Sequence, residues 1–172
     1  METIPFQTIQ NSIDNICGIT EEEDLDAVSQ ALFEAQAALA GFVVEFLEDM
    51  SEDAKDLGFM MALILWKSFE AKYPQMRALS EDEVVARFEE QEEALEKLLH
   101  LDEAMLEELQ KNEMLNGQPE ILNYVTQELF SEDSAEPQLA ADEEVHLFMI
   151  LRFFTSCLNE VARETSPGPV KH

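Results

Sequence analysis

The chain has 172 residues, of which 46% are hydrophobic, and 38 acidic side chains face 10 basic ones for a net charge of −28. That length suits one domain with a sizeable core, and that apolar share excludes a disordered acidic tail. A surface this negative repels nucleic acid and anionic membranes and favours basic partners or cations.

Only five Gly and six Pro interrupt the sequence. The stretches between them are rich in Leu, Ala, Glu, Met and Gln, which form helices readily. Alternating runs of β-branched residues are missing, so no strand is expected. The expected fold is all-α: a single domain over residues 1–165, a bundle of about six to eight helices, then a disordered tail, 166–172.

In chain order, Phe6, Ile9, Ile13 and Ile16 recur at helical spacing, and Gly18 is placed to end that helix. Thr20 and Glu23 have the spacing of a capping box for the next one. Glu21, Glu22, Glu23 and Asp24 crowd its first turn, where the helix dipole favours negative charge. Leu25, Val28, Leu32, Ala35 and Leu39 continue as one apolar stripe, and Gly41 is read as a bend or break. Ser51 can cap a long apolar helix reaching about Lys72, stopped by Pro74. Within it the run Leu57 to Phe69 is apolar on nearly all sides, the mark of a central helix.

Ser80 and Glu83 form a second capping-box pattern, followed by the stripe Val84, Phe88, Gln91, Leu95 and Leu98. Residues 81–115 read equally well as one helix or as two divided near His100 to Asp102, and Asn116-Gly117 is a stop signal. Pro119 suits the first position of a helix carrying Ile121, Leu122, Val125 and Leu129. Ser131 to Ala141 reads as an acidic loop. Asp142 can cap a last helix, about 143–164, whose run Val145 to Phe154 is the second central apolar element.

The segment from Phe42 (FVVEFLEDMSED) resembles that from Tyr124 (YVTQELFSEDSA). In the helices that follow, Phe59, Met61, Leu63, Trp66 and Ser68 line up with Leu147, Met149, Leu151, Phe154 and Ser156, and Arg152 falls opposite Ile64. This points to a pseudo-two-fold internal duplication with units near 20–74 and 80–165. The competing explanation is that any two core helices look alike in composition.

Chemistry-bearing patterns are sparse. Glu143-x-x-His146 has the spacing used by carboxylate-bridged di-metal sites, but that chemistry needs a second such motif and two further Glu. Glu143 is otherwise read as favouring the helix N-terminus, with His146 at the core edge. There is no phosphate loop, dinucleotide fingerprint, EF-hand loop, nucleophile elbow or zinc-protease motif, so neither a cofactor nor an enzymatic activity is expected. Cys17 and Cys157 are too few and too far apart for a disulfide framework, and each is expected as a buried thiol. Arg152 interrupts the last apolar run; it can snorkel, pair with a carboxylate such as Glu45 or Glu128, or serve an anion.

The N-terminal ten residues lack signal-peptide character, and the apolar runs are about ten to thirteen residues, short of a bilayer span. A soluble cytoplasmic protein is therefore expected. No Lys or Arg precedes Lys55. The reading these features favour is a non-enzymatic adaptor that binds a basic or amphipathic protein through Glu21, Glu22, Glu23 and Asp24. A nucleic-acid-mimicking inhibitor of a DNA-binding protein is the alternative, and a carboxylate/His metal-binding protein a further one. The plain alternative to all three is that the carboxylates only solvate exposed helix faces.

Overall fold

The computed structural model describes residues 3–98, 118–130 and 141–165. Seven helices lie within these residues: α1 (Phe6–Cys17), α2 (Glu22–Ala35), α3 (Ala37–Leu47), α4 (Glu52–Lys72), α5 (Glu81–Leu98), α6 (Pro119–Phe130) and α7 (Ala141–Thr165). No strand occurs among the described residues, so the all-α expectation holds. The division of 81–115, the Asn116-Gly117 stop, the loop over 131–140 and the tail fall outside the described residues.

α4 and α7 pack against each other at the centre. Met61, Leu65, Phe148 and Leu151 are each no more than 1% exposed, as central helices require. Trp66, Phe69, Phe153 and Phe154 complete this core. α4 begins where the sequence places it: the Ser51 hydroxyl accepts the Ala54 N–H at 3.2 Å. Glu52 and Asp53 lie in its first turn and Lys72 in its last, each on the side the helix dipole favours. Gly58 allows the neighbouring helices to come close. A Cβ built there would sit 2.7 Å from Cδ2 of Leu147 and 3.2 Å from Cδ2 of Leu47.

The break in the first half falls at Gln36 rather than at Gly41. α2 and α3 meet there at 117°, and Gly41 lies inside α3. The cause is the Gln36 side chain, which is 1% exposed. Its Nε2 donates to the Arg77 carbonyl at 2.9 Å, and its Oε1 accepts the Leu79 N–H at 3.0 Å. Gln118 does the same work in the second half. Its Oε1 accepts the Ile4 N–H at 2.8 Å, and its Nε2 donates to Asn159 Oδ1 at 2.9 Å. In the register that sets Phe42 opposite Tyr124, Gln36 falls opposite Gln118. Each precedes a helix, α3 or α6, and each holds a buried residue two positions before another, Leu79 before α5 and Ile4 before α1.

Packing follows the same correspondence. α1 lies on α4 as α5 lies on α7, α3 lies on α4 as α6 lies on α7, and α1 touches α6 as α5 touches α3. α2 lies on α3 and α4.

Several local expectations are corrected. α2 starts at Glu22 with Glu21 in the cap position and no side-chain cap bond, so Thr20 and Glu23 do not form a capping box. Four carboxylates at or beside that turn supply the dipole complement without it. α7 starts at Ala141, which puts Asp142 inside the helix instead of at its cap. α7 also outruns the apolar run that marks it, because Cys157, Leu158, Val161 and Ala162 extend its buried face. From Asp142 to Thr165 it is long and apolar enough to cross a membrane by length and composition, although 61% of its most apolar window is buried inside the molecule. The bent pair α2 and α3 passes the same test when taken together. Span length therefore does not carry the argument against a membrane.

The Ser80–Glu83 capping box is present. Ser80 N–H donates to Glu83 Oε1 at 3.0 Å, and Glu83 N–H donates to the Ser80 hydroxyl at 3.2 Å. Arg77 ties this cap to the end of α7 by bonding Glu83 at 2.7 Å and Glu164 at 2.8 Å. The Arg77 guanidinium, then the Ser80 N–H, hold the Glu83 carboxyl down at about 2.

Candidate functional site

Three places collect the polar residues that the sequence singles out. The first is α2. Glu21, Glu22, Glu23 and Asp24 are all exposed at its N-terminus. Toward its other end, Phe33 is 37% exposed and lies against Phe59 of α4, with ring centroids 6.3 Å apart. Leu25 and Val28, between these points, are only partly buried, as is Met60 beside Phe59. Eleven helical rises separate Glu22 from Phe33, about 16 Å at 1.5 Å each. The cluster of four carboxylates and the aromatic contact area thus share one helix, the cluster at its N-terminal end. Glu34 and Asp56, both exposed, add carboxylates next to the aromatic end.

The second place is the N-terminal end of α7, where a recess is lined by Phe46, Asp49, Met50, Asp142, Glu143 and His146. Glu143 does not point at His146 chemistry. Its Oε2 accepts the Ser51 N–H at 2.9 Å, so it caps α4 from a different helix. The His146 ring nitrogen Nδ1 lies 2.6 Å from the Asp142 carbonyl and donates to it, and the ring faces Phe46 at 6.3 Å. Among the described residues no three His, Cys, Asp or Glu side chains converge as metal ligands. Glu143 is used in capping and His146 in a bond along its own helix.

The third place is a cleft of about 300 Å³ between α5, α6 and α7. Its floor is apolar: Ile121, Leu122, Val125, Phe148 and Leu151. Its wall is polar: Gln91, Gln118, Arg152, Thr155, Ser156 and Asn159. Arg152 is half-buried on this wall, which resolves where the interrupting charge of the last apolar run goes. The Ser156 hydroxyl accepts from Gln91 Nε2 at 3.0 Å and from Arg87 Nη2 at 3.3 Å. Arg87 also reaches Glu160 at 3.6 Å. Sequence reasoning singles out Arg152 but not Arg87; its signals at the serine that gathers Arg87 are the alignment of Ser156 with Ser68 and Gln91 within an otherwise apolar stripe.

The two thiols differ. Cys157 is buried, and burial pushes it up to about 12, so it is a poor nucleophile. Cys17 is exposed at the end of α1, contrary to the buried position its apolar neighbours predict. The stripe of α1 ends at Ile16, and Cys17 falls on the outer face. Tyr124 and Glu144 are likewise shifted upward by burial, Tyr124 also by the nearby Glu128.

No protein-family model matches the chain, and no curated protein and no solved structure matches it.

Proposed function

We propose that the protein is a non-enzymatic binding protein, an adaptor that engages a basic or amphipathic protein partner through α2 and the adjoining face of α4. The observation that carries this reading is the pairing on one helix of four exposed carboxylates with the part-exposed Phe33 and its neighbour Phe59. Carboxylates with no basic residue nearby in sequence steer a cationic partner during encounter. An aromatic pair at the far end supplies apolar contact area, which holds the partner once it has arrived. A partner helix of about three turns, basic at one end and apolar at the other, would span the distance.

Affinity capture from lysate, with partners identified by mass spectrometry, tests the reading. The bait is the full chain, compared with a variant carrying Glu21→Lys, Glu22→Lys and Glu23→Lys. Partners lost from both the variant and a high-salt wash, and enriched in basic amphipathic segments, support it. An identical set in all conditions contradicts it. Capture dominated by DNA-binding proteins that DNA displaces would favour mimicry of nucleic acid instead.

A further inference from the structure

The two halves of the bundle put the same glutamine to different use. Gln36 bonds backbone with both ends of its amide, the Arg77 carbonyl and the Leu79 N–H. Gln118, opposite it, takes one backbone group, the Ile4 N–H, and turns its Nε2 to the side chain of Asn159. The α4–α7 register, which sets Ser68 opposite Ser156, sets Ala71 opposite Asn159, so the first half has no such acceptor at that position. A backbone N–H only donates, so the Gln118 oxygen must face Ile4 and its nitrogen Asn159. Asn159 must then face Gln118 with its oxygen, and its NH2 is left for another acceptor. That NH2 makes no hydrogen bond among the described residues. Asn159 lines the cleft between α5, α6 and α7.

The same wall carries two more groups of this kind. The register that aligns Ile4 with Leu79 sets Gln91 opposite Ile16, which is buried. Gln91 Nε2 donates to Ser156, and no hydrogen bond reaches its Oε1 among the described residues. The Thr155 hydroxyl is buried and has no partner among the described residues, although buried hydroxyls are nearly always satisfied. Arg152 stands on this wall but already has an interaction of its own, so it is not counted. The other described polar residues of the wall, Gln91, Gln118, Thr155, Ser156 and Asn159, carry no charge.

We propose that this cleft binds a small neutral amide with a short apolar tail. The ligand's carbonyl oxygen accepts from the Asn159 NH2 and the Thr155 hydroxyl, and its N–H donates to Gln91 Oε1. Its tail lies on the floor along Leu122, Val125 and Phe148. An amide is both acceptor and donor, as the wall requires. A charged head group would lose its hydration without an uncommitted opposite charge to meet it. The volume of about 300 Å³ is at the small end of ligand sites, which keeps the tail short. The site shares no residue with the α2 face and does not rest on the partner proposed for it.

Hexanamide is the probe, titrated into the full chain up to its solubility limit and followed by 1H–15N spectra of side-chain amides and 1H–13C spectra of methyls. Hexanoate and hexylamine, both charged at neutral pH, are the controls. The expected result is saturable binding of hexanamide with shifts at the Asn159 NH2 and the Leu122 and Val125 methyls, and binding of both controls weaker by about tenfold or more. Asn159→Asp keeps an oxygen for Gln118 but replaces the NH2 by a second oxygen. It should weaken hexanamide by about tenfold or more and strengthen hexylamine, a reversal that a merely structural role would not produce. Should that variant fail to fold, Thr155→Val decides: weaker hexanamide binding supports the site, and unchanged affinity overturns it. Equal binding of hexanamide and either control by the native protein overturns it, as does Asn159→Asp binding hexanamide like wild type. No saturable binding, or shifts confined to other parts of the molecule, overturns it too.

Discussion

Replacing Gln36 by alanine should cost more than any other single polar substitution in the first half. The side chain is 1% exposed and satisfies two backbone groups at once, the Leu79 N–H and the Arg77 carbonyl. Leu79 is itself 3% exposed, so water does not readily replace the lost acceptor. An orphaned buried backbone group costs about 1–3 kcal/mol, so two of them set a ceiling of about 2–6 kcal/mol, lowered because water can reach the part-buried Arg77 carbonyl. The segment involved also leads into the Ser80–Glu83 cap of α5, so its release would loosen that helix start. Urea unfolding followed by the fluorescence of Trp66 measures the change. The midpoint should fall with little change in slope, since the unfolded surface is the same. Gln36→Glu keeps the acceptor but turns a buried carboxylate on the Arg77 carbonyl, and at neutral pH should cost at least as much as alanine. Gln30→Ala removes only an exposed bond to Glu34 and should stay within about 0.5 kcal/mol of wild type. A Gln36→Ala loss below about 0.5 kcal/mol would refute the clamp and show that another contact holds residues 77–79.

Gly41→Ala should stabilise the fold by about 0.4–1 kcal/mol in the same assay, because Gly41 lies inside α3 and a Cβ there meets nothing within 4 Å. The Glu83 carboxyl is held below its ordinary value, so its contribution to stability is complete above about pH 4.5 and is lost as pH falls toward about 2. Glu83→Gln should accordingly flatten the acid limb of a stability–pH curve across that window and leave the neutral-to-basic limb alone. An aromatic disulfide reagent should titrate Cys17 in the native protein, while Cys157 should react only after denaturation; two fast thiols would contradict the burial of α7.

The architecture was legible wherever a signal is local. The apolar run over 57–69, a serine with a following carboxylate pair and a terminal lysine define α4 to the residue. Ser80 with Glu83 and the proline at 119 mark their helices for the same reason: each acts on backbone within four residues. What escaped is non-local. Gln36 and Gln118 look like ordinary helix-forming residues until their amides are seen bonding segments 41 and 114 positions away. The break in the first half therefore seemed to belong to glycine, the usual breaker, when a buried glutamine makes it. The sequence pairs Glu143 with His146, three residues along the same helix face, yet its carboxylate accepts the Ser51 N–H, 92 positions distant. Arg152 stands out in the sequence as a misfit in an apolar run, but only packing shows that it stands on the wall of a cleft. Thr20 lost its capping role because Glu21 already occupies the cap position.

The central claim is that the acidic end of α2 acts in recognition, and association kinetics test it most directly. The partner obtained by capture is immobilised, and on- and off-rates are measured at low and physiological ionic strength for wild type and for the variant reversed at Glu21, Glu22 and Glu23. Screening shortens to about 8 Å near physiological salt, so the wild-type on-rate should fall steeply as salt rises. The triple reversal should slow association much more than it speeds dissociation, since exposed charges act mainly on the encounter. Rates that ignore both salt and charge reversal would show that these carboxylates only solvate their helix and that recognition lies elsewhere on the molecule.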